Sequence, residues 1–184
     1  MKTAFRGTLL ASAPLLATLP LIVDTSARAY SATPTTDATC VLHAHGVFTT
    51  AVDAGGTDTP IPDTLTMTGT VTCVDSAGAP LASGAFERVV TMPSTECTGD
   101  EHGDTSTTTI HWSDKTTSTF RFDRTDVMKV NGTASLVVSG AVTDDSAAFA
   151  NDTIKAVGTS YGAGCGTPAG ETALDSTLVL RLTH

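Results

Sequence analysis

Between Thr64 and Cys73 the chain alternates with a period of two almost without fault. Leu65, Met67, Gly69, Val71 and Cys73 share one face, and Thr64, Thr66, Thr68, Thr70 and Thr72 share the other. Successive side chains of a strand point to opposite sides, so this pattern fits a half-buried strand and does not fit a helix. Val138, Gly140 and Val142 alternate likewise with Leu136, as do Leu178, Leu180 and Leu182 against Val179, Arg181 and Thr183. Weaker strand patterns fall near 40–52, 84–92, 107–113, 117–127 and 153–160. Composition agrees. Thr is abundant and the strong helix formers Lys, Glu and Gln are scarce, a balance that favours strands.

Turn signals separate these runs. Gly55-Gly56 with Pro60-Ile61-Pro62, Ser76-Ala77-Gly78-Ala79-Pro80, Ser113-Asp114-Lys115-Thr116, Asn131-Gly132 and the glycine-rich stretch 162–168 each read as a connection. Ser146 to Asn151 is the one segment that suggests a single helical turn. A chain of 184 residues is about one domain, and eight short strands joined mostly by hairpins predict an all-β antiparallel barrel, with a β-sandwich as the alternative.

The N-terminus reads as an address. Lys2 and Arg6 precede an apolar run from Gly7 to Val23, broken by Pro14 and Pro20, and Ala27-Arg28-Ala29 offers small residues at −3 and −1. These are the three regions of a secretory signal peptide. The expected organisation is a signal peptide over 1–29, a flexible arm over 30–39 and one all-β domain over 40–184. Cleavage after Ala29 removes three basic residues and one acidic one, which takes the formal charge from −9 to −11. That charge excludes nucleic acid as a partner and, after cleavage, a membrane, since either calls for a basic patch.

Four cysteines in an oxidising compartment read as two disulfides. Their spacing lacks the close pairs of a zinc–thiolate site. With strands alternating up and down, Cys40 starts the first strand and Cys73 ends the second, while Cys97 and Cys165 fall at the opposite end. Cys40–Cys73 with Cys97–Cys165 is therefore favoured over the two other pairings.

The signal peptide, the four spaced cysteines, the hairpin 108–120, the strand end Ser139-Gly140-Ala141-Val142-Thr143 and the loop Cys165-Gly166-Thr167-Pro168-Ala169-Gly170 form a pattern. Over residues 38–183 it resembles the uncharacterised small secreted β-rich four-cysteine proteins of actinomycete-type bacteria, which have no assigned function. The resemblance implies a secreted all-β fold and carries no site residues. It departs at Asp114-Lys115, where similar proteins usually have Asp-Gly. Lys is poor at positive φ, so a longer turn or one of another type is expected there.

Chemistry-bearing residues are few. His43 and His45 form an H-x-H pair on one strand face, and His111 lies on another strand, so the three are the candidate ligands of a metal-dependent enzyme. The opposite face of the first strand (Cys40, Leu42, Ala44, Gly46, Phe48) reads as core, which turns both histidines towards solvent. His111 alternates in the same way against Ile110 and Trp112. Two acidic groups, Glu96/Asp100/Glu101/Asp104 with His102 between them and Asp144/Asp145/Asp152, are the calcium candidates, without EF-hand spacing. There is no nucleophile elbow, and one Trp with two Tyr does not furnish a sugar-cleaving groove.

The expectation is therefore a secreted, non-catalytic extracellular binding or surface-associated module without catalytic residues, resident metal or cofactor. Its partner is expected to be an extracellular protein or a small molecule. The alternative is a protease inhibitor that presents the braced loop 162–170 or 95–104. A barrel with few large side chains leaves two outcomes open, an internal cavity or a small flattened core.

Overall fold

The computed structural model describes residues 35–56 and 60–184, without the side chains of Pro93 and Asp104; the signal peptide expected over 1–29 lies outside the described residues. Eight strands follow one another: β1 (Thr36–Val52), β2 (Ile61–Val74), β3 (Pro80–Thr95), β4 (Gly99–Trp112), β5 (Thr117–Val130), β6 (Thr133–Val142), β7 (Thr153–Tyr161) and β8 (Glu171–Thr183). Each pairs antiparallel with the next, and β1 pairs with β8 to close the barrel. Closure excludes the sandwich.

The alternation in the sequence sets the inner face. Leu65, Met67, Val71 and Cys73 of β2 point inward, as do Ala38, Cys40, Leu42 and Ala44 of β1 and Leu180 and Leu182 of β8. The barrel has two unlike ends. One is packed solid. There Trp112 meets Phe120 at a ring separation of 6.3 Å and Phe149 at 5.9 Å. Trp112 Nε1–H donates to Ser118 Oγ at 2.8 Å, and Ser118 Oγ in turn donates to the Ala148 carbonyl and accepts from its N–H. The β6–β7 loop thus plugs this end with Phe149 as the stopper. Cys40–Cys73 is a cross-strand pair just inside it, both residues fully buried.

At the other end, Cys97 in the β3–β4 connection is bonded to Cys165 in the β7–β8 loop. These connections face each other across the mouth, since β3–β4 and β7–β8 sit half a turn apart in an eight-strand ring. Gly132 N–H donates to the Cys97 carbonyl and Gly162 N–H to the Gly132 carbonyl, so three connections meet over the opening.

Three local expectations change. Residues 36–39, expected in the arm, belong to β1: Thr36 and Ala38 pair with Thr183 and Leu182, and Ala38 is fully buried. Ser146–Asn151 forms no helical turn; it is irregular, with Phe149 and Asn151 at positive φ. β4 reaches back to Gly99, beyond its readable half near 107–113. The Asp114-Lys115 turn, by contrast, is of another type than a two-residue Asp-Gly turn, as expected: only the second of the two residues has a positive φ. Lys115 N–H donates to the Trp112 carbonyl and Trp112 N–H to the Thr116 carbonyl, with Lys115 held at φ 74°. Asp114 Oδ1 accepts from both the N–H and the hydroxyl of Thr116, which fixes the turn and draws the Asp114 carboxyl below its ordinary range.

Candidate functional site

The core does not fill the barrel. Towards the mouth, a cavity of about 400 Å³ remains, walled by Phe48, Leu65, Met67, Val90, Met92, Val127, Leu136 and Leu174. Small inward residues of neighbouring strands, Ala134 of β6 and Ser160 of β7, leave this volume unfilled. The cavity reaches the surface along one seam. Among the described residues, β3 and β4 share only the register pairs Gly84↔Trp112 and Ala85↔His111. Above these the two strands part, and the exposed Thr91, Thr105 and His102 line the gap.

Arg88 stands at this seam, inside the barrel. Strand parity puts it there: Phe86 is inward and 5% exposed, so Arg88 follows it onto the inner face, while its neighbours Glu87 and Val89 are exposed. Its Nη1 donates across the seam to Ser106 Oγ at 3.0 Å and to Thr108 Oγ1 at 3.3 Å. Its Nη2 reaches only the Met67 thioether, at 3.4 Å, and its buried Nε–H has no acceptor. The guanidinium carbon lies 5.9 Å from the centroid of the Phe122 ring. No carboxylate among the described side chains forms an ion pair with it. Burial without a counter-charge lowers the Arg88 pKa from its usual value, although a guanidinium keeps its charge at any physiological pH. A buried cation without a partner is costly, and the edge formed by Nε–H and Nη2–H is the fork that grips a carboxylate by two parallel bonds.

Of the other charges that line the cavity, Glu96 is half-buried and in no ion pair among the described residues, and the rest are engaged. Lys129 is ion-paired with Glu101. Glu171 accepts from the N–H groups of Gly164, at 2.8 Å, and Cys165. Asp53, beside the mouth, accepts from Gly166 N–H. These bonds wind residues 162–170 into successive turns over the opening, with Thr167 N–H donating to the Gly164 carbonyl and Gly170 N–H to that of Thr167.

The residues expected from sequence fall elsewhere. His43 and His45 face outward beside Thr177 and Asp175, with His45 Nδ1 at 2.8 Å from Asp175 Oδ1. His111 is also outward. It lies in one row with His43 through Thr70 and Ala85, three strand spacings or about 14 Å away, so the three histidines do not converge. The first acidic group is divided between the Glu101–Lys129 pair, a part-exposed Glu96 and an exposed Asp100. In the second, Asp144 and Asp145 are exposed, whereas Asp152 is 1% exposed and turns towards Asp37 and His184. Burial raises the Asp152 pKa, and the Asp37 carboxylate raises it further against the lowering effect of His184.

Sequence reasoning missed Arg88. The signal was present, an i+2 step from Phe86 with Val89 on the other parity, but the charge masked it. No family model matches the chain, and no match was found among curated proteins or solved structures. The geometry alone therefore carries the functional reading.

Proposed function

We propose that this protein is a secreted, non-catalytic binding module that holds a small amphipathic carboxylate inside its barrel. The observation that carries this reading is Arg88, a part-buried guanidinium in the wall of an apolar cavity, with a buried Nε–H that has no acceptor and an Nη2 that meets only a thioether. The volume falls within the range of small-molecule pockets, which combine apolar walls with a few placed polar groups. The ligand carboxylate takes the Nε–Nη2 edge of Arg88 and displaces the flexible Met67 thioether. Its hydrocarbon part lies against Leu65, Val90, Val127 and Leu136, and the seam between β3 and β4 gives it entry.

Secretion fits the signal-peptide pattern of residues 1–29 and the two disulfides, which form and persist in oxidising surroundings. The inhibitor alternative draws less support. Residues 162–170 are wound into turns and tied to Glu171 and Asp53, which suits a lid better than an extended, substrate-like loop.

The test is calorimetric titration of the delipidated mature protein with decanoate, and with decanol as the neutral counterpart. Decanoate is expected to bind saturably and decanol far more weakly. A charge-assisted hydrogen bond is worth about 1.5–3 kcal/mol, so Arg88→Gln should weaken decanoate by about 10–100-fold and leave decanol unchanged. Equal affinity of the wild type and the Arg88→Gln variant for decanoate, or no saturable binding, would overturn the proposal.

A further inference from the structure

The plugged end of the barrel carries a second constellation, unrelated to the cavity. Three residues from distant parts of the chain converge there: Asp37 of β1, Asp152 just before β7 and His184 just after β8. One ligand atom of each lies within 4.8 Å of the other two. The local backbone explains the meeting. Asp37 is the extra residue at a register shift between Thr36 and Ala38, and a bulge re-aims its side chain away from the regular alternation. His184 is held by its own N–H, which donates to the Thr35 carbonyl at 3.2 Å. Asp152 is anchored on both sides, its N–H donating to the Phe149 carbonyl and its carbonyl accepting from Val142.

The independent sign of a ligand is the Asp152 carboxylate. Its side chain is 1% exposed, its Oδ1 lies 3.2 Å from His184 Nδ1, and its Oδ2 is buried with no hydrogen-bond donor. Two carboxylates and an imidazole within reach of one another, and no Lys or Arg ion-paired with either acid among the described residues, make a donor set that lacks its cation.

We propose that Asp37, Asp152 and His184 bind a divalent zinc ion that clips the start of β1 and the ends bordering β7 and β8 together. Carboxylate oxygen and imidazole nitrogen are both zinc ligands, at about 2.0–2.2 Å, which puts ligand atoms about 3.4 Å apart in a tetrahedron. The exposed side chains of Asp37 and His184 can make that small closure onto the fixed Asp152. Water completes the coordination. The imidazole favours zinc over magnesium or calcium, which prefer all-oxygen sites.

The experiment is titration of the untagged, metal-free mature protein with zinc chloride at pH 7, read by calorimetry and by thermal unfolding. About one zinc per chain should bind, and saturating zinc should raise Tm by several degrees, because a ligand of the folded state alone stabilises it. Asp152→Asn, close in shape to the native residue, and Asp37→Asn, at an exposed position, should each abolish both responses. Circular dichroism of each variant confirms that the barrel is intact. The His43→Ala/His45→Ala double variant should bind zinc as the wild type does. Absence of binding, or zinc binding that survives both Asn variants and is lost with His43 and His45, would overturn the proposal.

Discussion

At the scale of single residues, the molecule holds several side chains at positive φ, Lys115 and Phe149 among them. Lys115 sits at φ 74° to close the β4–β5 turn. An L side chain there costs about 1–2 kcal/mol, and glycine has no such cost but gives up about 0.5–1 kcal/mol in chain entropy. Lys115→Gly should therefore stabilise the barrel by somewhat less than about 1 kcal/mol and raise Tm by about 2–4 °C in differential scanning calorimetry. A lowered Tm would mean that the Lys side chain makes a compensating contact. Gly132 shows the opposite case. It also has a positive φ, of 75°, and a Cβ there would lie 2.5 Å from the Gly162 carbonyl oxygen, so the Asn131-Gly132 turn admits no such exchange. The Asn-Gly pair was legible because turn chemistry is local. Lys115 was not, because the pull of two well-formed strands overrides the preference of one residue.

At the scale of elements, the seam between β3 and β4 is the weakest junction. Above Ala85, β3 keeps its ladder to β2 through register pairs as far as Ile61↔Thr95, but not to β4. Every other backbone N–H of β3 in that stretch points towards the seam. Hydrogen exchange should show it: amides of 86–92 should alternate between strong and weak protection, and decanoate should strengthen the weak ones. Uniform protection would show that the seam is zipped in solution. The strands themselves were readable from period-two patterning wherever the inner face is apolar, as in 64–73. The upper half of β4 was not, since Gly99 to Ser106 puts polar and charged residues where the cavity replaces a packed core. The same absence of packing hid Arg88 and the mouth of the site. A pattern of apolar residues reports burial against other side chains, and a binding cavity is the region where that burial is incomplete.

At the scale of the whole molecule, the two disulfides do different work. Cys40–Cys73 lies within the packed end and joins residues already paired in register, whereas Cys97–Cys165 joins connections on opposite sides of the mouth. In the chain-entropy account each closes a loop worth at most about 4 kcal/mol. Their removal should nevertheless give distinct phenotypes in limited proteolysis. The Cys97→Ala/Cys165→Ala variant should be cut quickly within 162–170. The Cys40→Ala/Cys73→Ala variant should lose thermal stability with that loop still resistant. Matching cleavage patterns would show that Glu171 and Asp53, rather than the disulfide, hold the loop down. Strand alternation and chain order made this pairing predictable. The meeting of Asp37, Asp152 and His184 was not, since it depends on a bulge and on the closing of the ring, neither of which leaves a local trace.

The pairing of β1 with β8 also imposes an order in time. His43 and Thr177, which share a hydrogen bond across that junction, are 134 residues apart in the chain. The first strand has no final neighbour until the last one has been synthesised, so the ring cannot be completed while the chain is still growing. Folds dominated by such distant pairings form slowly, on the scale of milliseconds to seconds. For the secreted protein proposed above, which would be threaded through a narrow export channel, this delay would be an advantage. On that proposal the chain would stay open until its C-terminus emerges, and closure, disulfide formation and the capture of any cargo would follow export.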